Sequence, residues 1–233
     1  MVRKAQGSPK VQRAHGPVVV AARRPEVVLP ALRPYDGDGL APDGDYDGLE
    51  FADADLSGEE GHGATFMDCA LRRTVLDGTA LVRSRFVDSV LEGVRGVGTD
   101  LAGALLRDVE VRDARLGGTQ LHGAVLERVL VRGGKIDYLN LRKSRLTDVV
   151  FEGCVLAEAD FGGAELRRVE FRDCTLRGAD FTAARMADVD LREVAELDIA
   201  RGVDRLAGAV ISPVQLVQLA PLFAAQLGVR VEA

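Results

Sequence analysis

Three histidines, three cysteines, three tyrosines and no tryptophan are all that 233 residues offer of the side chains from which most metal centres, redox pairs and stacking surfaces are built. Aromatic residues make up 5% of the chain, too few for the platforms on which single-stranded nucleic acid stacks. No stretch approaches the roughly 20 apolar residues of a membrane span. The basic opening, with Arg3, Lys4, Lys10 and Arg13, leads only into Val18–Ala22, shorter than the core of a secretory signal. A cytoplasmic protein is expected. Gly96-Val97-Gly98 lacks the strand and helix that a phosphate-binding loop requires. No nucleophile, base and orienting group share a recognisable spacing, so the sequence predicts no enzyme, no cofactor and no metal.

What the chain does have is a period of five. From Phe51 to Leu191 every fifth residue is apolar except Gly61 and Gly96, and two places before each centre from Phe66 onward the side chain is small, Leu139 excepted. Neither the 3.6 of a helix nor the 2 of an isolated strand matches this spacing. If each pentapeptide forms one side of a square coil, four close a turn and residues twenty apart stack at strand spacing, ~4.8 Å. The centres then fill the middle of the coil and the small residues its crowded inner corners. Cys69, Cys154 and Cys174 all fall on small inward positions, where a thiol serves as a compact hydrophobe. Cys154 and Cys174 stack in neighbouring coils, and in a reducing cytosol free thiols are expected there. Glycines two places after a centre, such as Gly78, Gly103, Gly123 and Gly163, read as corner residues.

Stretches such as Ala159-Asp160-Phe161-Gly162-Gly163 and Ala179-Asp180-Phe181-Thr182-Ala183 resemble the pentapeptide-repeat family, whose pattern is A(D/N)LXX. The resemblance implies an all-β solenoid, a right-handed quadrilateral β-helix. The number of centres predicts about seven coils and a rod on the order of 34 Å long.

The ends depart from the repeat. Residues 1–34, proline-rich and aperiodic, are expected to be a disordered tail, and residues 35–48 an acidic Gly/Asp linker capping the first coil. The β-helix is assigned to 49–211. Past Leu191 the frame puts Glu196 and Arg201 at centres, which predicts a distorted last coil. Ser212-Pro213 then marks a helix start and Gly228 its stop, giving a C-terminal helical cap over 212–233 that Pro221 should kink or split. Leu216, Leu219, Leu222, Phe223 and Leu227 are the candidates to plug the open coil end and to pair with a second copy. Some family members dimerise this way, so the resemblance makes a homodimer plausible.

Columns twenty residues apart organise the charges. Asp68, Asp88, Asp108, Asp148 and Asp188 form a ladder interrupted by Arg128 and Arg168, and Asp100, Gln120, Asn140, Asp160 and Asp180 form another. Both read as solvated faces with arginine partners. His62 and His122 share a column but lie about 14 Å apart, too far for joint metal ligation. A basic ridge is predicted from Arg95, Arg112, Arg115, Arg132 and Lys135, with Tyr138 beside it.

These features predict a non-catalytic scaffold for protein–protein interaction, its protein partner unidentified. The alternative comes from the resemblance, since some family members bind DNA gyrase and protect it from quinolones by imitating DNA. Residues 64–193 carry 20 Lys plus Arg against 21 Asp plus Glu, a poor imitation of a phosphate backbone. Gyrase is therefore the less favoured partner, and nucleic acid is disfavoured by the interspersed Glu92, Asp113 and Asp137.

Overall fold

Side chains buried at every fifth position can stack only if the chain turns a corner once per pentapeptide, and the backbone records those corners. Left-handed φ values recur at the same spacing, at Asp68 (51°), Arg73 (52°), Gly78 (60°), Arg83 (58°) and Asp88 (49°), and so on through Asp188. The computed structural model describes residues 19–37 and 39–232. It is a right-handed, four-sided parallel β-solenoid closed by a single C-terminal helix. In each central turn an eight-residue strand, such as Arg85–Glu92, covers two sides with its corner at residue 88. A three-residue strand, such as Arg95–Val97, makes the third side, and single bridges such as Asp100↔Gln120 make the fourth. Every pairing is parallel, and in the central turns partners are twenty residues apart, as in Leu126↔Leu146.

The centres form one continuous core with aromatic stacks at both ends. Tyr46, Phe66 and Phe86 lie 5.0 and 4.5 Å apart in one stack. Phe151 and Phe171 are 4.9 Å apart, and Phe161 and Phe181 5.0 Å apart. Between them the centres are Leu, Val and Ile apart from Gly96, and an apolar cavity of about 60 Å³ lies among Val111, Val131, Ile136 and Leu139. Leu139, large where every other such position is small, is one of the residues lining it. Three of the buried hydroxyls at inward positions donate to carbonyls one coil back, Thr74 to Phe51 (2.8 Å), Thr79 to Leu56 (2.8 Å) and Thr99 to Leu76 (2.7 Å). All three cysteines are buried free thiols.

Several expectations at the ends need correction. The solenoid has about nine turns, against the predicted seven. It begins inside the stretch read as a linker, because Asp45–Asp47 is already a strand paired with Thr65–Met67 and Tyr46 is buried against Phe66. Leu81 of the following coil and Leu40 of the preceding one, both buried, come within 3.0 and 3.2 Å of where a Gly61 side chain would begin, so neighbouring coils fill that break in the frame. At the other end the frame slips by one residue. Arg172 pairs with Glu193, and Leu197 takes the centre stacked on Leu176, so Glu196 stays exposed and paired with Arg177 at 2.9 Å. Helix Pro213–Gln226 runs unbroken through Pro221. The carbonyl deprived of a bond there is that of Val217, which is 74% exposed and can bond to water.

The tail also needs correction. Residues 19–34, expected to be disordered, run extended along the outside of the rod against the direction of coil stacking, and Arg33–Pro34 finally pairs with Leu49–Glu50. The remainder of the expected tail, residues 1–18, lies outside the described residues.

Candidate functional site

Parallel stacking brings the five ridge cations into two neighbouring columns. Arg95, Arg115 and Lys135 are consecutive partners on one side, and Arg112 and Arg132 on the adjacent one. The second column is largely spoken for: Arg112 bonds Glu110 through Nε at 2.9 Å, and Arg132 lies 3.2 Å from Glu152. In the first, Lys135 meets Asp137 at 2.8 Å, whereas Arg95 and Arg115 are exposed and form no ion pair with any described residue. Tyr138 is 66% exposed and holds a corner with φ 55°, a left-handed conformation that bulky residues avoid. Val97, exposed on the same strand as Arg95, extends the patch and was missed because it lies outside the repeat's fixed positions.

The two acidic ladders serve the fold. Asp100, Asp160 and Asp180 accept from the backbone N–H two residues on, at 2.9, 2.7 and 2.8 Å, which caps the turn at that corner. Asn140 does the same at 3.1 Å and donates to Gln120 at 2.7 Å. In the other ladder Arg128 grips Asp108 with two bonds of 2.6 and 2.7 Å, and Arg168 grips Asp148 with two of 2.7 and 2.8 Å. Burial, followed by repulsion from Asp108 and Asp68, raises the Asp88 pKa. Asp148, with a wholly buried side chain, moves the opposite way: Arg168 and then Arg23 outweigh burial and hold it far below the ordinary carboxylate range. Among the described residues no three His, Cys, Asp or Glu side chains converge as metal ligands would.

Arg23 belongs to the extended segment 19–34, which the sequence reading missed. The Val20 N–H donates to Asp188 (3.2 Å), the Ala22 N–H to Glu170 (2.8 Å) and the Arg23 N–H to Asp148 (3.1 Å). The Arg23 guanidinium adds bonds of 3.0 and 2.7 Å to Asp148, and that of Arg24 reaches Glu152 at 2.6 Å. From Pro25 the segment alternates, with Pro25 buried, Val27 and Leu29 half-buried, and Glu26 and Val28 exposed. A sequence signal for this strap existed. Outward positions that the repeat usually gives to Asp or Asn carry Ala70, Val90, Leu130 and Val150 on this face, and all four are buried.

At the C-terminal end, Ser212 and Gln215 form a reciprocal capping box that starts the helix. Gln215 also donates to the carbonyls of Leu191 (2.7 Å) and Val194 (3.2 Å), satisfying the last coil's edge. Of the five predicted cap residues, Leu219 is buried and Phe223 half-buried against the core, while Leu216, Leu222 and Leu227 are 53%, 38% and 79% exposed.

The chain resembles HetL, a pentapeptide repeat protein involved in heterocyst differentiation regulation from the cyanobacterium Nostoc sp. strain PCC 7120, at 19% identity over 75% of this chain and 91% of that one, with a TM-score of 0.31. A trypsin-treated form of QnrB1, a plasmid-mediated fluoroquinolone resistance protein, matches at 18% identity over 82% and 89% of the two chains, with a TM-score of 0.39. No curated protein sequence matches. The family model described as a pentapeptide repeat region matches residues 64–141 and 138–199, and the chain belongs to the pentapeptide repeat family.

Proposed function

We propose that the chain is a non-catalytic scaffold that binds another protein through the outside of its rod, with Arg95, Arg115, Lys135 and Tyr138 at the contact. The observation that carries this reading is the column of three cations at strand spacing, two of them without a carboxylate partner among the described residues, beside an aromatic residue held in a costly corner conformation. A regularly spaced row of cations, two of them open, suits an acidic protein surface. Replacing Arg115 and Lys135 together by Glu should leave the thermal melt unchanged and abolish recovery of the partner that the wild type captures. Equal recovery by both proteins would remove the ridge from consideration. A supercoiling assay with bacterial gyrase belongs beside it, because inhibition by the wild type would identify a topoisomerase as the partner in place of an unassigned protein.

The scaffold is proposed to work as a homodimer joined at its C-terminal end. Val214, Leu216, Val217 and Leu227, between 53% and 79% exposed, leave an apolar helix face beyond what plugs the coil. A hollow beside it is lined by Leu206, Ile211 and Phe223. Sedimentation equilibrium is expected to show a dimer that Val217→Glu converts to monomer with an unchanged circular dichroism spectrum. A wild-type monomer at micromolar concentration would refute it.

A further inference from the structure

The strap occupies its face in the manner of a ligand. Its N-terminal half makes no ladder with any strand. The described contacts are three main-chain N–H groups and two guanidiniums reaching carboxylates borne on successive coils. The spacing suits any extended chain running along the rod, because three residues at about 3.3 Å each cover nearly the same length as two coils at ~4.8 Å. Val150 lies between Asp148 and Glu152 on its strand, and Leu130 and Val90 continue its column, interrupted by Glu110. The face would therefore select a peptide by its extended backbone, its apolar side chains and its arginines.

Of the four carboxylates that the strap touches, three keep an arginine without it, and the fourth, Asp188, is only half-buried. Asp148 keeps the two bonds from Arg168, Glu152 keeps Arg132 at 3.2 Å, and Glu170 keeps Arg172 at 2.5 Å. Lifting the strap strands no unpaired buried charge, the outcome that would otherwise hold such a segment in place. What it uncovers is apolar surface beside Asp148, Glu152 and Glu170.

We propose that this face is a docking groove for an extended, arginine-bearing peptide segment of a partner protein, and that the chain's own residues 19–32 are the occupant such a segment displaces. The proposal goes beyond the basic ridge to a second face and a partner of opposite charge, so its failure leaves the ridge reading standing.

The probe is a fluorescent synthetic peptide of residues 18–32, titrated into the full-length protein and into the full-length double variant Arg23→Glu with Arg24→Glu. The variant, its own strap released, is expected to bind at least tenfold more tightly than the wild type, and a peptide carrying Glu at both arginine positions should lose binding by a similar factor. Equal binding to both proteins, no binding to a variant whose melt shows it folded, or full binding of the Glu-bearing peptide would overturn the proposal. Should the variant fail to fold, the wild type alone decides. Excess peptide should accelerate hydrogen exchange at the Val20, Ala22 and Arg23 amides at least fivefold, and an unchanged rate overturns the proposal. A wild-type dimer that the double variant alone converts to monomer would assign the groove to a second copy's strap and overturn it equally.

Discussion

Tyr138 shows how a single residue can oppose the local geometry. Its corner column holds Gly98, Gly118 and Gly178, all at positive φ, together with Glu158. A Cβ at such a corner costs on the order of 1 kcal/mol, and an aromatic side chain that is 66% exposed recovers little of it by burial. Tyr138→Gly is expected to raise unfolding free energy by about 1 kcal/mol in a denaturant titration while weakening capture of the ridge partner. A stability gain with undiminished capture would leave the residue without a role in binding. Gly134 marks the reverse constraint: its Cβ would sit 2.2 Å from the Ala114 carbonyl oxygen, so glycine is required there by space as well as by its φ of 86°.

At the scale of elements, the strap and its carboxylates make a pH prediction whose sign follows from Asp148. Its folded-state pKa is lowered, chiefly by Arg168 and further by Arg23. The stabilisation is therefore fully present above the ordinary carboxylate value of about 3.9 and is lost as pH falls through the lower folded-state value. For Glu152 burial acts upward, but Arg24, Arg132 and Arg172 outweigh it and the net shift is downward. Protection factors of the Val20, Ala22 and Arg23 amides are expected to stay level from pH 8 to about pH 4 and to fall only in stronger acid, while Asp148→Asn lowers them at pH 7. Protection that declines between pH 7 and 5 would show that another group holds the strap.

The elements also separate what the sequence made legible from what it did not. The period of five is enforced by a core that admits one large centre and one small corner residue per side, so fold class, inward positions, thiol placement and the helix start at Ser212 could all be read. Residues outside that rule could not. Tyr46 lies on the same five-residue frame but among aspartates and glycines that imitate a linker. The slip at Glu193 is a one-residue irregularity in pairing, invisible until Leu197 is seen stacked on Leu176. The strap left its trace on the coil, as Val90, Leu130 and Val150 in places where exposure called for polar residues. The ridge showed which cations stack, but the choice of Arg112 and Arg132 as paired and Arg95 and Arg115 as open depends on side-chain reach across columns.

For the molecule as a whole, stacking alone would make stability a sum over neighbouring coils. The aromatic stacks sit at the two ends, around Phe66 and around Phe161, with the centre of the rod built from smaller side chains and holding the cavity. The strap breaks the one-dimensional rule by tying coils near Asp188 and Asp148 to the first coil through Arg33. Leu126, 3% exposed and central, tests both statements. An aspartate there would be buried without a partner, at a cost of several kcal/mol that falls on the middle coils. Leu126→Asp is expected to split the thermal unfolding followed by circular dichroism into two transitions, with amides of the strands around residue 126 exchanging first. Adding Arg23→Glu and Arg24→Glu should move the two transitions further apart, because the link that couples the ends is then cut. A single transition at the wild-type midpoint would contradict the inward placement of Leu126. Two transitions whose separation ignores the strap variants would show that the strap covers the rod without coupling its ends.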